Sequence, residues 1–245
     1  MEESRGYREH EKVAILVDGG FYLRRAHHLF GEKSAKDRAQ ELMAYCARHA
    51  KKGGSLYRVF YYDCPPITTP LYHPLHKKQI AMKDTDRYKW SMEFLEELAE
   101  KRKLAIRLGD LQEKDSGFTI KQKTLRRLCA GTIAINDLKP SDFMPNIVQK
   151  GVDMRIGLDI ASIAYKKQAT QIVLISGDSD FVPAAKHARR EGIDFILDPM
   201  WQGIRPDLKK HIDGLRSCTS EHPTKDNEKL CSNEKSNEAK DTALL

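Results

Sequence analysis

The sequence predicts an α/β fold in which helices flank a mainly parallel central sheet. Two observations predict it: residues 13–17 and 172–175 are unbroken aliphatic runs, and each is followed by a segment with helical periodicity. Strands that are apolar throughout are typical of parallel sheets, because both of their faces are buried. A third observation concerns function, since both runs lead into acidic residues at the strand ends where ligands bind in such sheets.

The first strand is predicted at residues 12–18 and ends at Asp18. The two glycines after Asp18 allow backbone or ligand to approach closely. The segment that follows them, residues 21–30, has the composition of a helix. The first predicted unit is therefore a strand, a carboxylate, a tight turn and a helix.

Asp63 follows another predicted strand and is a secondary acidic candidate. It either borders the same cleft as Asp18 or is only a turn residue before the prolines at 65 and 66. In this part of the chain we expect a helix at residues 35–51, a strand at 56–62, a helix at 87–103 and a strand at 104–108.

Residues from about 64 to 130 are predicted to form an insertion, with a short β excursion at residues 117–123. His73 and His76 are three positions apart, but no second ligand pair follows them, which disfavours a zinc site. The insertion also contains a basic cluster, which either contacts a phosphate backbone or is a solvated surface. The cluster consists of Lys121, Lys123, Arg126 and Arg127.

A third acidic segment starts at Gly151, where apolar residues at 152, 156, 160 and 163 predict an amphipathic helix. Asp153 lies in its first turn, at the positive end of the helix dipole. Asp159 lies on the apolar stripe, so a hydrogen bond, a basic partner or a metal must satisfy it, and a hydrogen bond or basic partner is our preferred interpretation. Lys150 and Arg155 flank the segment and either hold a phosphate or are solvated charges.

The second aliphatic run leads into a turn that contains Asp178 and Asp180. Ser179 is predicted to cap the helix that follows. If this run neighbours the first strand, Asp178 and Asp18 converge, and their repulsion raises a pKa unless a cation lies between them. The alternative is that each aspartate only caps its own helix. The last predicted elements are a strand at residues 193–197 and a helix at 206–215.

Three segments in this order carry a family resemblance: the Val-Asp-Gly-Gly-Phe strand end, the Lys-Gly-Val-Asp helix start and the Ser-Gly-Asp-Ser-Asp-Phe turn. Together they resemble the NYN domain of the LabA/DUF88 branch, within the PIN-like nuclease superfamily. The resemblance spans about residues 12–215. One position departs from it, since many NYN domains have an Asn three residues after the first Asp, where this chain has Phe21.

The resemblance implies a PIN-like (Rossmannoid) three-layer fold and a site that binds Mg²⁺ or Mn²⁺ and hydrolyses RNA phosphodiesters. It implies that Asp18, Asp153 and Asp178 are the core acidic positions, with Asp180 the fourth. Oxygen ligands suit these two ions, which supply the charge neutralisation and activated water that phosphodiester cleavage needs.

Two other functions remain open from the sequence. One is a catalytically silent PIN-like module that binds RNA or a protein, because Phe21 occupies the usual Asn position. The other is a phosphohydrolase with Asp18 as nucleophile. It is disfavoured because no second aspartate lies two residues later, as haloacid-dehalogenase-like enzymes have.

Composition and length restrict the class of protein. The chain has 245 residues and a net charge of +7, which favours an anionic partner such as RNA. No apolar segment is long enough to span a membrane, and five scattered cysteines fit reduced thiols, so we expect a cytoplasmic protein without disulfides. The sequence neither predicts nor excludes a homodimer. We expect a flexible N-terminus at residues 1–11, one NYN/PIN-like domain at 12–216 and a disordered tail at 217–245.

Overall fold

The computed structural model describes residues 11–50 and 54–218, and of residues 113–116 it describes the backbone alone. Residues 1–10 of the predicted N-terminus and residues 219–245 of the predicted tail lie outside this range. The first two residues of the predicted tail are bonded to the core. The Ser217 hydroxyl donates to Asp198 at 2.9 Å, and the Cys218 amide donates to the Tyr45 hydroxyl at 3.3 Å.

Strands and helices alternate along most of the described chain, as the sequence predicts. The strands are β1 (Lys12–Asp18), β2 (Ser55–Asp63), β3 (Leu71–His73), β4 (Lys78–Ile80), β5 (Leu104–Leu108), β6 (Asp110–Ile120), β7 (Phe143–Lys150), β8 (Gln171–Ile175), β9 (Asp194–Asp198) and β10 (Gly214–Leu215). The helices are α1 (Gly19–Phe30), α2 (Ala35–Ala50), α3 (Asp86–Ala99), α4 (Gln122–Cys129), α5 (Val152–Tyr165), α6 (Val182–Arg190) and α7 (Pro206–Lys209).

The central sheet has six strands in the order β10-β9-β8-β1-β2-β5, and every neighbouring pair is parallel. Side chains of β1 alternate between two apolar cores. Val13, Ile15 and Val17 pack with α1, α2 and α3, whereas Ala14 and Leu16 pack with α5 and α6. The predicted α/β fold with helices on both sides of a parallel sheet is therefore confirmed.

The strand order places three chain segments side by side at one edge of the sheet. β1 lies between β2 and β8, with Val17 beside Ile175 and Asp18 beside Tyr62. The carboxyl ends of these three strands form what we call the carboxyl edge. Crevices at this edge are where open α/β sheets bind ligands.

The insertion predicted at residues 64–130 includes two elements of the core. α3 buries Phe94 and Leu98 in the core of the domain, and β5 pairs with β2. Outside the sheet lie the hairpin of β3 and β4 and an arm formed by β6, α4 and β7. The arm leaves the sheet at the carboxyl edge, because β5 ends opposite Asp63 and β6 begins two residues later.

Two predicted helix ends were wrong and one strand was missed, each for a local reason. The helix predicted at 87–103 ends at Ala99, and the turn before β5 contains Lys103 with a left-handed φ of 62°. The helix predicted at 206–215 ends at Lys209, because Gly214 and Leu215 pair with β9 instead. Strand β7 was missed because Pro145 interrupts its apolar pattern, and a two-stranded sheet such as the arm tolerates proline at an edge.

Gly19 lies where β1 turns into α1, and it has no room for a side chain. A Cβ at this position would lie 2.5 Å from the Tyr61 ring and 2.6 Å from the Tyr62 carbonyl oxygen. We expect Gly19→Ala to lower the free energy of unfolding by about 1–3 kcal/mol in urea denaturation. Gly157→Ala is the control, since nothing lies within 4 Å of its Cβ and alanine favours the α5 helix by up to about 1 kcal/mol. Equal effects of the two changes would contradict this prediction.

Candidate active site

Asp18 is held at the carboxyl edge by two hydrogen bonds. It caps α1 by accepting the Phe21 amide on Oδ1 at 3.0 Å, and its Oδ2 accepts the Ser176 hydroxyl at 3.1 Å. Burial raises the pKa of Asp18, and the charge of Asp153 raises it further. Asp18 is thus a helix cap, as the simpler interpretation holds, and also part of an acidic cluster.

Ser176 links the end of β8 to the end of β1. Its side chain is fully buried, and while its hydroxyl donates to Asp18, its oxygen accepts the Asp178 amide at 3.3 Å. Ser176 was not among the site residues predicted from the sequence. Its position directly after an apolar strand was the available signal.

The acidic turn is capped by Asp178 rather than by the predicted Ser179. The Asp178 carboxylate accepts the Asp180 amide at 3.0 Å and starts a 3-10 turn at Ser179–Phe181, which leads into α6. Asp178 caps the turn because its side chain reaches the amide two residues ahead, as in an Asx turn. Both Asp178 and Asp180 are exposed to solvent.

Asp153 faces the same turn from the start of α5. Gly151, with a left-handed φ of 78°, precedes the helix and places Asp153 in its first turn. Neighbouring protein displaces water from the Asp153 carboxyl and raises its pKa, and the charges of Asp178 and Asp180 raise it further. The four predicted acidic residues are therefore close enough to act on one another electrostatically, with Asp153 as the common neighbour.

Asp63 lies at the same edge, at the end of β2. Its carboxylate accepts the Tyr61 hydroxyl at 2.8 Å and the Cys64 amide at 2.7 Å. Burial raises the pKa of Asp63 to about 6, and the charge of Asp18 contributes to this increase. Asp63 thus borders the acidic cluster as well as starting a turn.

The oxygen donors at this edge suit Mg²⁺ or Mn²⁺, and their mutual repulsion is the condition that a cation relieves. The side chains are not gathered into a formed ion site, however. Among the described side chains (residues 11–50, 54–112 and 117–218), no three of His, Cys, Asp or Glu converge closely enough to hold a metal ion. Asp153 accepts no hydrogen bond from another described residue, so its carboxylate oxygens are available to a cation.

Phe21 belongs to the core and not to the surface of the site. Its side chain is 5% exposed, and its ring lies 2.8 Å from where a Cβ on Gly177 would be. Gly177 therefore allows Phe21 to pack beneath the acidic turn. Phe21, at the position where many NYN domains have Asn, therefore supports the turn that contains Asp178.

Asp159 is separate from the acidic cluster. Its carboxylate accepts the Tyr62 hydroxyl at 2.7 Å and forms an ion pair with Arg107 at 3.2 Å. These bonds correspond to the preferred interpretation of Asp159 from the sequence. Asp159 therefore helps to attach α5 to the sheet.

Basic side chains lie beside the acidic edge and along the arm that leaves it. Arg24 of α1 is exposed, and its charge lowers the pKa of both Asp18 and Asp63, a role that the sequence did not indicate. Arg155 is paired with Asp110 at 3.2 Å, at the base of the arm. Further basic residues are Lys150 at the end of β7, Lys121 just before α4, and Lys123, Arg126 and Arg127 exposed on α4.

Comparison with known families places this geometry in context. The family model of the NYN domain matches residues 83–211. The chain belongs to the NYN domain family. This is a family of PIN-like nuclease domains, and the matched residues include Asp153, Asp178 and Asp180. Asp18 and Asp63 lie before the matched segment and reach the site through the parallel pairing of β1 and β2.

Other comparisons give less detail. A protein of unknown function from Vibrio parahaemolyticus RIMD 2210633 has a similar solved structure, with 15% sequence identity and a TM-score of 0.46 over 90% of this chain and 98% of that chain. No curated protein matches the chain. Among the described residues, no helix has the length and apolar character needed to cross a membrane.

The raised pKa of Asp63 gives the protein a distinctive pH dependence. Its folded-state pKa of about 6 lies above the ordinary value of 3.8, so folding favours the protonated form. The stability that this group contributes at low pH is lost as pH rises from about 4 through about 6. Between pH 4 and pH 8, we expect wild type to lose roughly 1–3 kcal/mol of unfolding free energy relative to Asp63→Asn.

Denaturation in EDTA at several pH values measures this difference. The Asn variant also loses a hydrogen bond, which shifts its stability at every pH, so the slope with pH is the informative quantity. Asp84→Asn, an exposed aspartate before α3, should keep the wild-type slope. If the unfolding free energies of wild type and Asp63→Asn changed in parallel with pH, the raised pKa of Asp63 would be contradicted.

Proposed function

We propose that this NYN domain is a Mg²⁺- or Mn²⁺-dependent ribonuclease of the LabA/DUF88 branch, which hydrolyses RNA phosphodiester bonds at the carboxyl edge. The observation that supports this most is the electrostatic coupling of Asp18, Asp153, Asp178 and Asp180, brought together from three separate segments. Such clusters raise carboxylate pKa values and are typical of functional sites.

Each residue has a defined task in this proposal. Asp18 and Asp178 would anchor the ion, while Asp153 and Asp180 would complete the site directly or through water. The ion would supply charge neutralisation at the phosphoryl oxygens and an activated water. The Phe21 amide and the Ser176 hydroxyl orient Asp18, and Arg24 is placed to attract the phosphate backbone to the edge.

The arm is proposed to guide the RNA backbone towards this edge. Lys123, Arg126 and Arg127 are exposed on α4, and β7 connects the arm directly to the start of α5 and Asp153. Cations on such a surface bind phosphates by releasing counterions, which makes affinity depend on salt.

A second candidate function is a catalytically silent module that binds RNA or a protein. It is favoured by one observation: both oxygens of Asp18 already accept hydrogen bonds. In this case Asp18 would remain a structural cap, and the acidic edge would not cleave RNA.

We expect Asp178→Asn and Asp153→Asn to reduce metal-dependent cleavage of RNA by about 100-fold or more, the usual cost of removing one electrostatic contributor to a transition state. Asp159→Asn is the matched control, because it lies on the same helix as Asp153 but is bonded to Tyr62 and Arg107. The assay uses labelled single-stranded and structured RNA with Mn²⁺ or EDTA, and circular dichroism checks the fold. Unchanged cleavage by Asp178→Asn would reject the ribonuclease.

Ion binding can also be measured without activity. Because a ligand that binds only the folded state stabilises it, Mn²⁺ should raise the melting temperature of wild type and of Asp159→Asn. The increase should be smaller for Asp153→Asn, which removes one of the coupled carboxylates. Equal increases in all three proteins would place the ion elsewhere.

Replacing Lys123, Arg126 and Arg127 with Gln should weaken RNA binding and reduce its dependence on salt. Three lost phosphate contacts correspond to a decrease of about 2 in the slope of log affinity against log salt for single-stranded RNA. Fluorescence anisotropy with Asp178→Asn protein in EDTA measures the slope. The control replaces Lys12, Arg102 and Lys166, which are exposed near the opposite edge of the sheet. A similar loss in both triple variants would show that the arm has no special role.

A further inference from the structure

A cleft opens beside the acidic edge, between α3, the loop after β2 and the base of the arm. It encloses about 750 Å³, including the part open to solvent. We call it the α3 cleft.

The α3 cleft and the acidic edge share a residue. Asp63 lines the cleft, and its carboxyl is electrostatically coupled to that of Asp18. A ligand in the α3 cleft therefore lies next to the residues proposed to cleave RNA. The cleft is contiguous with the proposed site and is not a separate pocket on another face.

Much of the wall of the cleft consists of flat apolar groups. The Trp90 indole stacks on Phe94, with ring planes 12° apart and centroids at 5.1 Å. Its Nε1 donates to the Lys33 carbonyl at 3.0 Å, which fixes the ring in place. Tyr88 and Pro66 add further flat surface. Aromatic side chains held in this way are what proteins use to stack unpaired nucleobases.

Arg87 supplies the positive charge of the cleft. It lies in the first turn of α3, half-buried, and burial lowers its pKa to about 10. Among the described residues, it has no hydrogen-bond partner and no ion pair within 4 Å. A guanidinium that is partly desolvated needs acceptors, and a phosphate group provides them in the planar geometry that arginine prefers.

We propose that the α3 cleft binds one unpaired nucleotide of the RNA substrate, with its base against Trp90 and Tyr88 and its phosphate on Arg87. This proposal rests on the proposed ribonuclease function and specifies its substrate as single-stranded RNA. A base inside a duplex is stacked and paired, so it cannot enter the cleft without being extruded. The nucleotide bound here lies next to the phosphodiester at the acidic edge.

The intrinsic fluorescence of Trp90 provides a direct test. The chain has two tryptophans, and the other, Trp201, is exposed, so Trp201→Phe leaves Trp90 as the reporter. In EDTA, nucleoside monophosphates should quench this signal saturably. Arg87→Gln in the same background should weaken their binding by about 10-fold or more, because hydrogen bonds to a charged group are lost. Arg102→Gln, an exposed arginine before β5, should leave it unchanged.

Single-stranded RNA should compete with the monophosphate for the cleft, and a duplex of the same sequence should not. Competition is measured in the Asp178→Asn variant, so that no RNA is cleaved. No saturable quenching, quenching that survives Arg87→Gln, or equal competition by the duplex would overturn the proposal. Equal affinity for the unphosphorylated nucleoside would remove the phosphate contact and overturn it as well.

The same measurements separate this proposal from the proposed function. Binding that depends on Arg87, in a protein that cleaves no RNA, would support the nucleotide site and reject the ribonuclease. Cleavage that depends on Asp178, in a protein whose Trp90 signal does not respond to nucleotides, would support the ribonuclease and reject the nucleotide site.

Discussion

The parallel pairing of β1 with β2 on one side and β8 on the other determines where the acidic residues lie. It places the ends of three strands next to one another, so that Asp18, Asp63 and the turn after Ser176 share one edge. The start of α5 brings Asp153 close to the same edge. These segments are far apart along the chain, and the strand order of the sheet makes the ends of β1, β2 and β8 neighbours.

This arrangement concentrates negative charge, and the protein holds it in place with local hydrogen bonds. Asp18 and Asp178 accept backbone amides, and Ser176 connects the two segments. These bonds reduce the electrostatic cost but do not remove it, since the pKa values of Asp18, Asp63 and Asp153 remain raised. A cation or a phosphate-bound cation is the kind of ligand that such an edge attracts.

Local signals in the sequence were reliable where short-range physics decides the structure. The apolar runs of β1 and β8, the strand β5 and the glycine before α5 were found from the sequence because burial and turn geometry act over a few residues. The arm was found only in part: a short β excursion was predicted at residues 117–123, which overlaps the end of β6. The rest was missed because α4 separates β6 from β7 along the chain, and because Pro145 obscures the strand pattern of β7.

The sequence by itself determined a parallel α/β fold, the NYN resemblance and the acidic residues at the strand and helix ends. The tertiary structure decided which of these residues meet: Asp63 joins the cluster, whereas Asp159 is bonded to Tyr62 and Arg107. It also showed that Phe21 packs under Gly177 and that Arg87 and Trp90 line one cleft. The physical reason is that strand order and side-chain direction depend on long-range packing, which no local pattern in the chain encodes.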